Sequence, residues 1–170
     1  MDNFKKIFFA VILFSLTICI KSYAEVVNKV VVKGNERITL ETIVIFGDIK
    51  LGKNYESSDT NLLIKKLYET NFFADISVEL KDGQLNINVV ENPIIDTVTF
   101  EGEKAEKYRT TILELLVLRE KTSFLENFIK SDINLIKTFY RQLGFYFVKI
   151  DLDVEKLKRN RVNLIYSIDK

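Results

Sequence analysis

The sequence has 170 residues, with 25 lysines and arginines against 24 aspartates and glutamates, and 47% of it is hydrophobic. That composition is globular, with room for one ordinary domain or two small ones. A net charge of +1, with no basic patch interleaved with aromatics, excludes an electrostatic nucleic-acid binder.

The chain opens on an export-signal pattern. Lys5 and Lys6 precede an apolar run from Ile7 to Ile20, and Ala24 stands at a cleavage point before Glu25. The run is shorter than the roughly 20 residues of a spanning helix. Residues 1–24 are therefore expected to be a cleaved signal. Cys19, the single cysteine, lies inside it behind Leu16-Thr17-Ile18, where lipidation would call for small residues. From Glu25 onward the sequence has no cysteine and no histidine. That excludes disulfides, the usual zinc ligands and every catalytic triad built on histidine. No catalytic, cofactor or metal site is expected.

The next segment alternates at period two over residues 27–33 and predicts a strand, broken at Gly34-Asn35. Thr39 is a candidate N-cap for a short helix carrying Ile43, Val44 and Phe46, stopped near Gly47. Ser57 and Ser58 are candidate caps for a second helix with an apolar stripe at Leu63, Ile64, Leu67 and Tyr68. Two strands follow, over residues 74–80 and 85–90, joined by Asp82-Gly83, a favoured two-residue hairpin turn. That turn sets Leu80 against Leu85, Val78 against Ile87 and Ile76 against Val89, so apolar residues meet throughout.

The same order then repeats. Val26 to Gly34 and Ile94 to Gly102 place apolar residues at the same positions, 68 residues apart, and both end in glycine. Leu63 to Tyr68 matches Leu135 to Tyr140, and Phe73 matches Phe145, at a spacing of 72. The last strands, from Leu85 and Val162, are 77 residues apart. The second copy predicts a strand over 95–101, a helix over 108–118 and a longer helix over 125–143 with Gly144 at its C′ position. Strands over 147–154 and 162–168 follow, joined by a basic turn at 155–161. The expected fold is α+β: two tandem β-α-α-β-β units, each a three-stranded sheet covered by two helices on one face. Asp75, Ser77, Glu79 and Lys81, with Lys149, Asp151 and Asp153, should line the solvent faces. Phe72-Phe73 and Phe145-Tyr146-Phe147 are expected in the cores. The expected units are 25–92 and 93–170. Asn92 and Pro93 form the joint between them, stiffened because proline ends the ladder and restrains the residue before it.

The segments VVVKGNERI, LYETNFFADISVEL, ENPIIDTVTFEGEK and FYRQLGFYFVKIDL resemble the polypeptide-transport-associated (POTRA) domains of the BamA family of outer-membrane assembly factors. The matching features are the glycine after the first strand, the aromatic-rich end of the second helix and the proline between copies. The resemblance implies a periplasmic, non-enzymatic module that binds unfolded outer-membrane proteins and docks periplasmic chaperones and assembly lipoproteins. Members of that family continue into further such domains and a membrane β-barrel, for which these 170 residues have no matching strands. The expectation is either a fragment of a longer protein or a free-standing pair, with membrane contact only through a barrel outside this sequence.

Strand addition at an open sheet edge suits such a role, because it rests on the main chain and tolerates varied sequences. The candidate edges are the second strands: Asp75, Ile76, Ser77, Val78 and Glu79, and by the repeat Val148, Lys149, Ile150, Asp151 and Leu152. The side chains themselves are expected mostly to close the core. Two other readings stay open. One is a POTRA-bearing cell-division or secretion-transporter scaffold. The other is a small exported enzyme using Asp151 and Asp153, although a solubilising strand face explains that pair more simply. The run Lys156 to Arg161 reads as a solvated turn rather than an anionic-lipid site.

Overall fold

A computed structural model describes residues 25–170, so the expected export signal lies outside the described residues. The first unit consists of β1 (Glu25–Val26), β2 (Lys29–Lys33), α1 (Leu40–Phe46), β3 (Asn54–Tyr55), α2 (Ser57–Glu69), β4 (Phe73–Lys81) and β5 (Gln84–Glu91). The second consists of β6 (Ile94–Glu101), α3 (Glu106–Leu115), a 3₁₀ turn (Glu126–Phe128), α4 (Ile129–Gln142), β7 (Lys149–Leu157) and β8 (Arg161–Asp169).

Each unit has a three-stranded sheet, ordered β2-β5-β4 and β6-β8-β7. The first strand runs parallel to the last, and the hairpin partner runs antiparallel to it. The helices cover one face, and the strands alternate accordingly. Leu85, Ile87 and Val89 of β5 are buried, as are Val162, Leu164, Tyr166 and Ile168 of β8. The exposed faces carry Asp75, Ser77, Glu79 and Lys81, and Lys149, Asp151 and Asp153. Each unit has its own apolar cluster, centred on Leu63, Leu67 and Ile87 in one and on Ile136, Tyr140 and Tyr166 in the other.

The first hairpin has the register its turn chemistry dictates, with Leu80 against Leu85, Val78 against Ile87 and Ile76 against Val89. Asp82 and Gly83 both have positive φ (52° and 74°), as a mirror-image two-residue turn requires. Gly34 and Gly102 end the first strands for a steric reason. Each has positive φ, and a Cβ there would lie 2.1 Å from the carbonyl oxygen of Val89 or Ile168.

Several expectations are corrected. The strand over 27–33 is split, because a loop clasps Val27: its N–H donates to the Lys53 carbonyl (3.0 Å), and Gly52 N–H donates to the Val27 carbonyl (2.8 Å). The second unit repeats the clasp, with Ile95 N–H on the Thr122 carbonyl and Lys121 N–H on the Ile95 carbonyl. Thr39 caps α1 as expected, but α2 is capped at Glu56 rather than at Ser57 or Ser58. Asp59 accepts the Glu56 N–H (3.1 Å) and is held by Lys53 (2.8 Å). Helix α3 stops at Leu115 rather than 118, because the buried Asp132 carboxylate takes the N–H groups of Val117 and Leu118, both at 2.9 Å. A 3₁₀ turn precedes α4, so that helix starts at Ile129. Gly144 closes it as a Schellman motif: its N–H bonds to the Arg141 carbonyl and that of Phe145 to the Tyr140 carbonyl. The β7–β8 turn is only Lys158 to Asn160, shorter than expected, with Arg159 and Asn160 at positive φ.

The helix register of the repeat is also one residue longer than the sequence match suggests. Buried Leu63 and Leu67 correspond to buried Ile136 and Tyr140, and the positive-φ residues Asn71 and Gly144 occupy the same place after the helix. Identical residue types pulled the match one position short, whereas burial sets the structural correspondence.

Candidate strand-addition edges and the cleft between the units

Because β5 and β8 are central, β4 and β7 lie at sheet edges, as do β2 and β6. Asp75, Ile76, Ser77, Val78 and Glu79 all fall in β4. Lys149, Ile150, Asp151 and Leu152 fall in β7, whereas Val148 precedes the strand because the connection after α4 runs on to that point. Ile76 and Ile150 are buried, Val78 and Leu152 half-buried, and the residues between them exposed. The inward side chains close the cores, and the outer rims are backbone. Asp151 and Asp153 lie on the solvent face, where Lys149 pairs with Asp151 at 3.2 Å. Among the described residues, no cluster of three or more Asp, Glu, His or Cys could hold a metal ion.

The joint is hydrogen-bonded from both sides. Asn92 N–H donates to the Phe72 carbonyl (2.8 Å), and the Asn92 carbonyl accepts from Arg37 Nη2 (2.9 Å). The Pro93 carbonyl accepts from Phe124 N–H (2.7 Å), and Ile94 N–H donates to the Asn160 carbonyl (3.0 Å). Asn160 Nδ2 reaches back to the Glu91 carbonyl (2.9 Å), so the tip of the second hairpin holds the end of the first unit's central strand. The basic run is thus not merely solvated: Asn160 latches the joint, and Arg161 pairs with Asp96 at 3.2 Å.

A buried carboxylate stands at the far end of each unit's sheet, the first beside the joint and the second beside the C-terminus. Glu91 Oε1 accepts three consecutive backbone N–H groups, from Glu36, Arg37 and Ile38 (2.8–2.9 Å), and its other oxygen lies 3.1 Å from Arg37 Nε. Burial acts to raise its pKa, but the three amides and the guanidinium outweigh it and hold the carboxyl below its usual range. In the second unit Glu103 accepts from Ala105 N–H and Lys170 Nζ, each at 2.8 Å, and from the Tyr140 hydroxyl. Burial again opposes ionisation, yet these donors lower Glu103 to about 2. Burial, then the Glu103 carboxylate, pushes the Tyr140 hydroxyl well above its ordinary value.

Sequence reasoning did not single out Glu91, Glu103 or Asp132. Two of them had a readable signal. Glu91 continues the inward parity of Leu85, Ile87 and Val89, and Asp132 stands one helical turn before Ile136 on the buried stripe of α4. A charge on a core-facing position demands partners.

A cleft of about 710 Å³ lies between the units. Its walls include Tyr68, Phe73 and Ala74 from the first unit, and Phe124, Val154 and Leu157 from the second. The start of the β4 edge and the end of the β7 edge thus open on one hollow. The expected core placement of the aromatic runs holds only in part. Phe73 is 3% exposed and stacks edge-on with Phe72, whereas Phe145, Tyr146 and Phe147 are 40%, 71% and 97% exposed. The Schellman turn at Gly144 throws the second run outward, off the end of α4.

The family model described as "POTRA: Surface antigen variable number repeat" matches residues 93–170. The chain is 31% identical over 141 residues to the outer membrane protein assembly factor BamA of Neisseria meningitidis serogroup B, covering 82% of this chain and 18% of that protein. It is 24% identical over 146 residues to BamA of Neorickettsia risticii, covering 86% and 20%. The chain therefore spans about a fifth of the length of the curated relatives it matches. Among solved structures, the N-terminal domain of Omp85 from Thermosynechococcus elongatus superposes with a TM-score of 0.56 at 17% identity, covering 86% of this chain and 63% of that one. Residues 93–170 belong to the POTRA family, and the chain carries this fold twice in tandem, as a relative of the BamA proteins.

Proposed function

We propose that this tandem is a periplasmic, non-enzymatic module of outer-membrane protein assembly. Residues 25–92 and 93–170 serve as its two units, behind a cleaved export signal at 1–24. It binds unfolded outer-membrane proteins by strand addition at β4 or β7, and it offers docking surfaces to periplasmic chaperones and assembly lipoproteins. The observation that carries this reading is the pair of open-edged sheets in a chain 31% identical to an outer membrane protein assembly factor. An edge strand offers unpaired N–H and C=O groups to any extended segment, whatever its side chains. That matches clients whose strands share alternation rather than sequence. Asn92 and Pro93 act as a semi-rigid joint that keeps the two edges in a fixed relation.

The test is a binding assay with extended peptides taken from outer-membrane β-strands, and with the same residues scrambled to destroy alternation. Weak binding of the alternating peptides, without binding of the scrambled ones, is expected. Equal binding of both would show that the edges do not select strands. N-terminal sequencing of the exported protein should begin at Glu25.

A further inference from the structure

The two candidate edges are not equivalent. A two-residue turn closes its hairpin on a doubly hydrogen-bonded pair, so Lys81 and Gln84 exchange both backbone bonds. Counting back along β4, Ser77 and Glu79 also point their N–H and C=O groups into the ladder. Those of Ile76, Val78 and Leu80 point away from it, and these are the groups that an added strand needs. One of them is taken. Ile76 N–H donates to the Tyr68 hydroxyl at 3.1 Å, and that hydroxyl donates to Asp75 Oδ1 at 3.3 Å. Tyr68 lies in the last turn of α2, is 40% exposed and stands at the mouth of the cleft.

In the second unit, where Tyr140 corresponds to Leu67 and Gly144 to Asn71, the corresponding position is Arg141, also in the last turn of its helix. Among the described residues no hydrogen bond joins its side chain to β7. Tyr140 beside it turns into the core toward Glu103.

We propose that Tyr68 is a specificity-determining residue that closes β4 to strand addition, so that the incoming strand is directed to β7. This rests on the strand-addition reading above and narrows it. To pair at Ile76, an incoming carbonyl must displace a hydroxyl that holds two bonds. With the Ile76 N–H taken, the unobstructed outward groups of β4 run only from Val78 to Leu80, at the bottom of the range of strand lengths. The nine-residue β7 has no such cap. Its inward side chains are Ile150, Leu152 and Val154, and its solvent face is acidic at Asp151, Asp153 and Glu155. The strand it fits alternates apolar residues with lysine, arginine or threonine, because opposite charges across a strand pair attract.

The test uses isotope-labelled protein and a synthetic peptide of about six residues alternating valine with lysine and threonine. Amide shifts and hydrogen exchange are followed residue by residue in the wild type, in Tyr68→Phe and in Tyr68→Ala. In the wild type the peptide should perturb β7 and leave Val78 and Leu80 unchanged. In Tyr68→Phe, without peptide, the Ile76 amide should exchange about tenfold faster, the loss of one hydrogen bond. In Tyr68→Ala the peptide should also reach Ile76, Val78 and Leu80, with an affinity within about tenfold of that at β7. Unchanged resonances of the first unit's core at Leu63, Leu67 and Ile87 would show that each variant is folded. Peptide at β4 of the wild type, or unaltered Ile76 exchange in Tyr68→Phe, overturns the role of Tyr68 while strand addition stands. Binding at neither strand in any form overturns both.

Discussion

The two units solve one structural problem with opposite charges. In each, the loop leaving the first strand must be tied to the end of the last strand. In the first unit the strand end supplies the acid: Glu91 takes three loop amides and faces Arg37 of that loop. In the second, the loop supplies the acid, and Lys170, just past β8, supplies the base. Both carboxylates are nearly inaccessible, at 1% and 2% side-chain exposure. What the fold demands is a closed pair at this point, and which partner carries the negative charge is free to differ. The segments after α2 and α4 differ too. The loop after α2 lines the cleft at Asn71 and keeps Phe73 buried, whereas Phe145 to Phe147 after α4 stand in the open.

The largest effect that would separate the units comes from Glu91→Ala. It leaves three amides and Arg37 without their acceptor, and a loss of about 3 kcal/mol is expected by chemical denaturation. The loss should fall on the first unit, as followed by its own amide resonances. Glu103→Gln removes the charge facing Lys170 and should cost about 2 kcal/mol, borne by the second unit. Equal losses in both units from either change would mean that they unfold as one.

The pH response sharpens the same contrast. Glu103 is held at about 2 in the folded protein against an ordinary 4.5, so its ionised form is favoured by folding. Its contribution is complete above about pH 4.5 and is lost as pH falls through about 2. Glu91, lowered in the same direction, adds to that acid sensitivity. Thermal melts between pH 6 and pH 2 should therefore show falling stability, and Glu103→Gln should fall less steeply than the wild type.

Smaller effects are expected at the joint. Asn160→Ala breaks the bond to the Glu91 carbonyl and should cost about 1 kcal/mol, with a wider spread of interdomain angles in scattering or residual dipolar couplings. Pro93→Gly should cost still less, about 0.5 kcal/mol, and should widen that spread further when combined with Asn160→Ala. An angular distribution unchanged in the double variant would show that neither residue sets the joint.

Much of the fold was legible because it rests on local chemistry. The Asp82-Gly83 turn determines the register of a whole hairpin, and Gly34 and Gly102 mark where a backbone passes too close for any side chain. What could not be read depended on distant partners. Helix α3 ends where it does because Asp132, in the next helix, captures Val117 and Leu118. The exposure of Phe147 follows from the direction in which the turn at Gly144 sends the chain, which composition does not encode. The second strands could be named as candidate edges in both units through the repeat, but strand order comes from the fold, and the cap on β4 depends on where one tyrosine hydroxyl lands.

The central claim is that an extended client joins the sheet at β7 through its main chain. Residue-resolved hydrogen exchange across Lys149–Leu157, with and without an unfolded outer-membrane protein segment, tests it directly. The account predicts new protection at every second amide of β7, because alternate N–H groups point outward from an edge strand. Protection confined to the aromatic loop at 145–147 or to the cleft, with β7 unchanged, would contradict it.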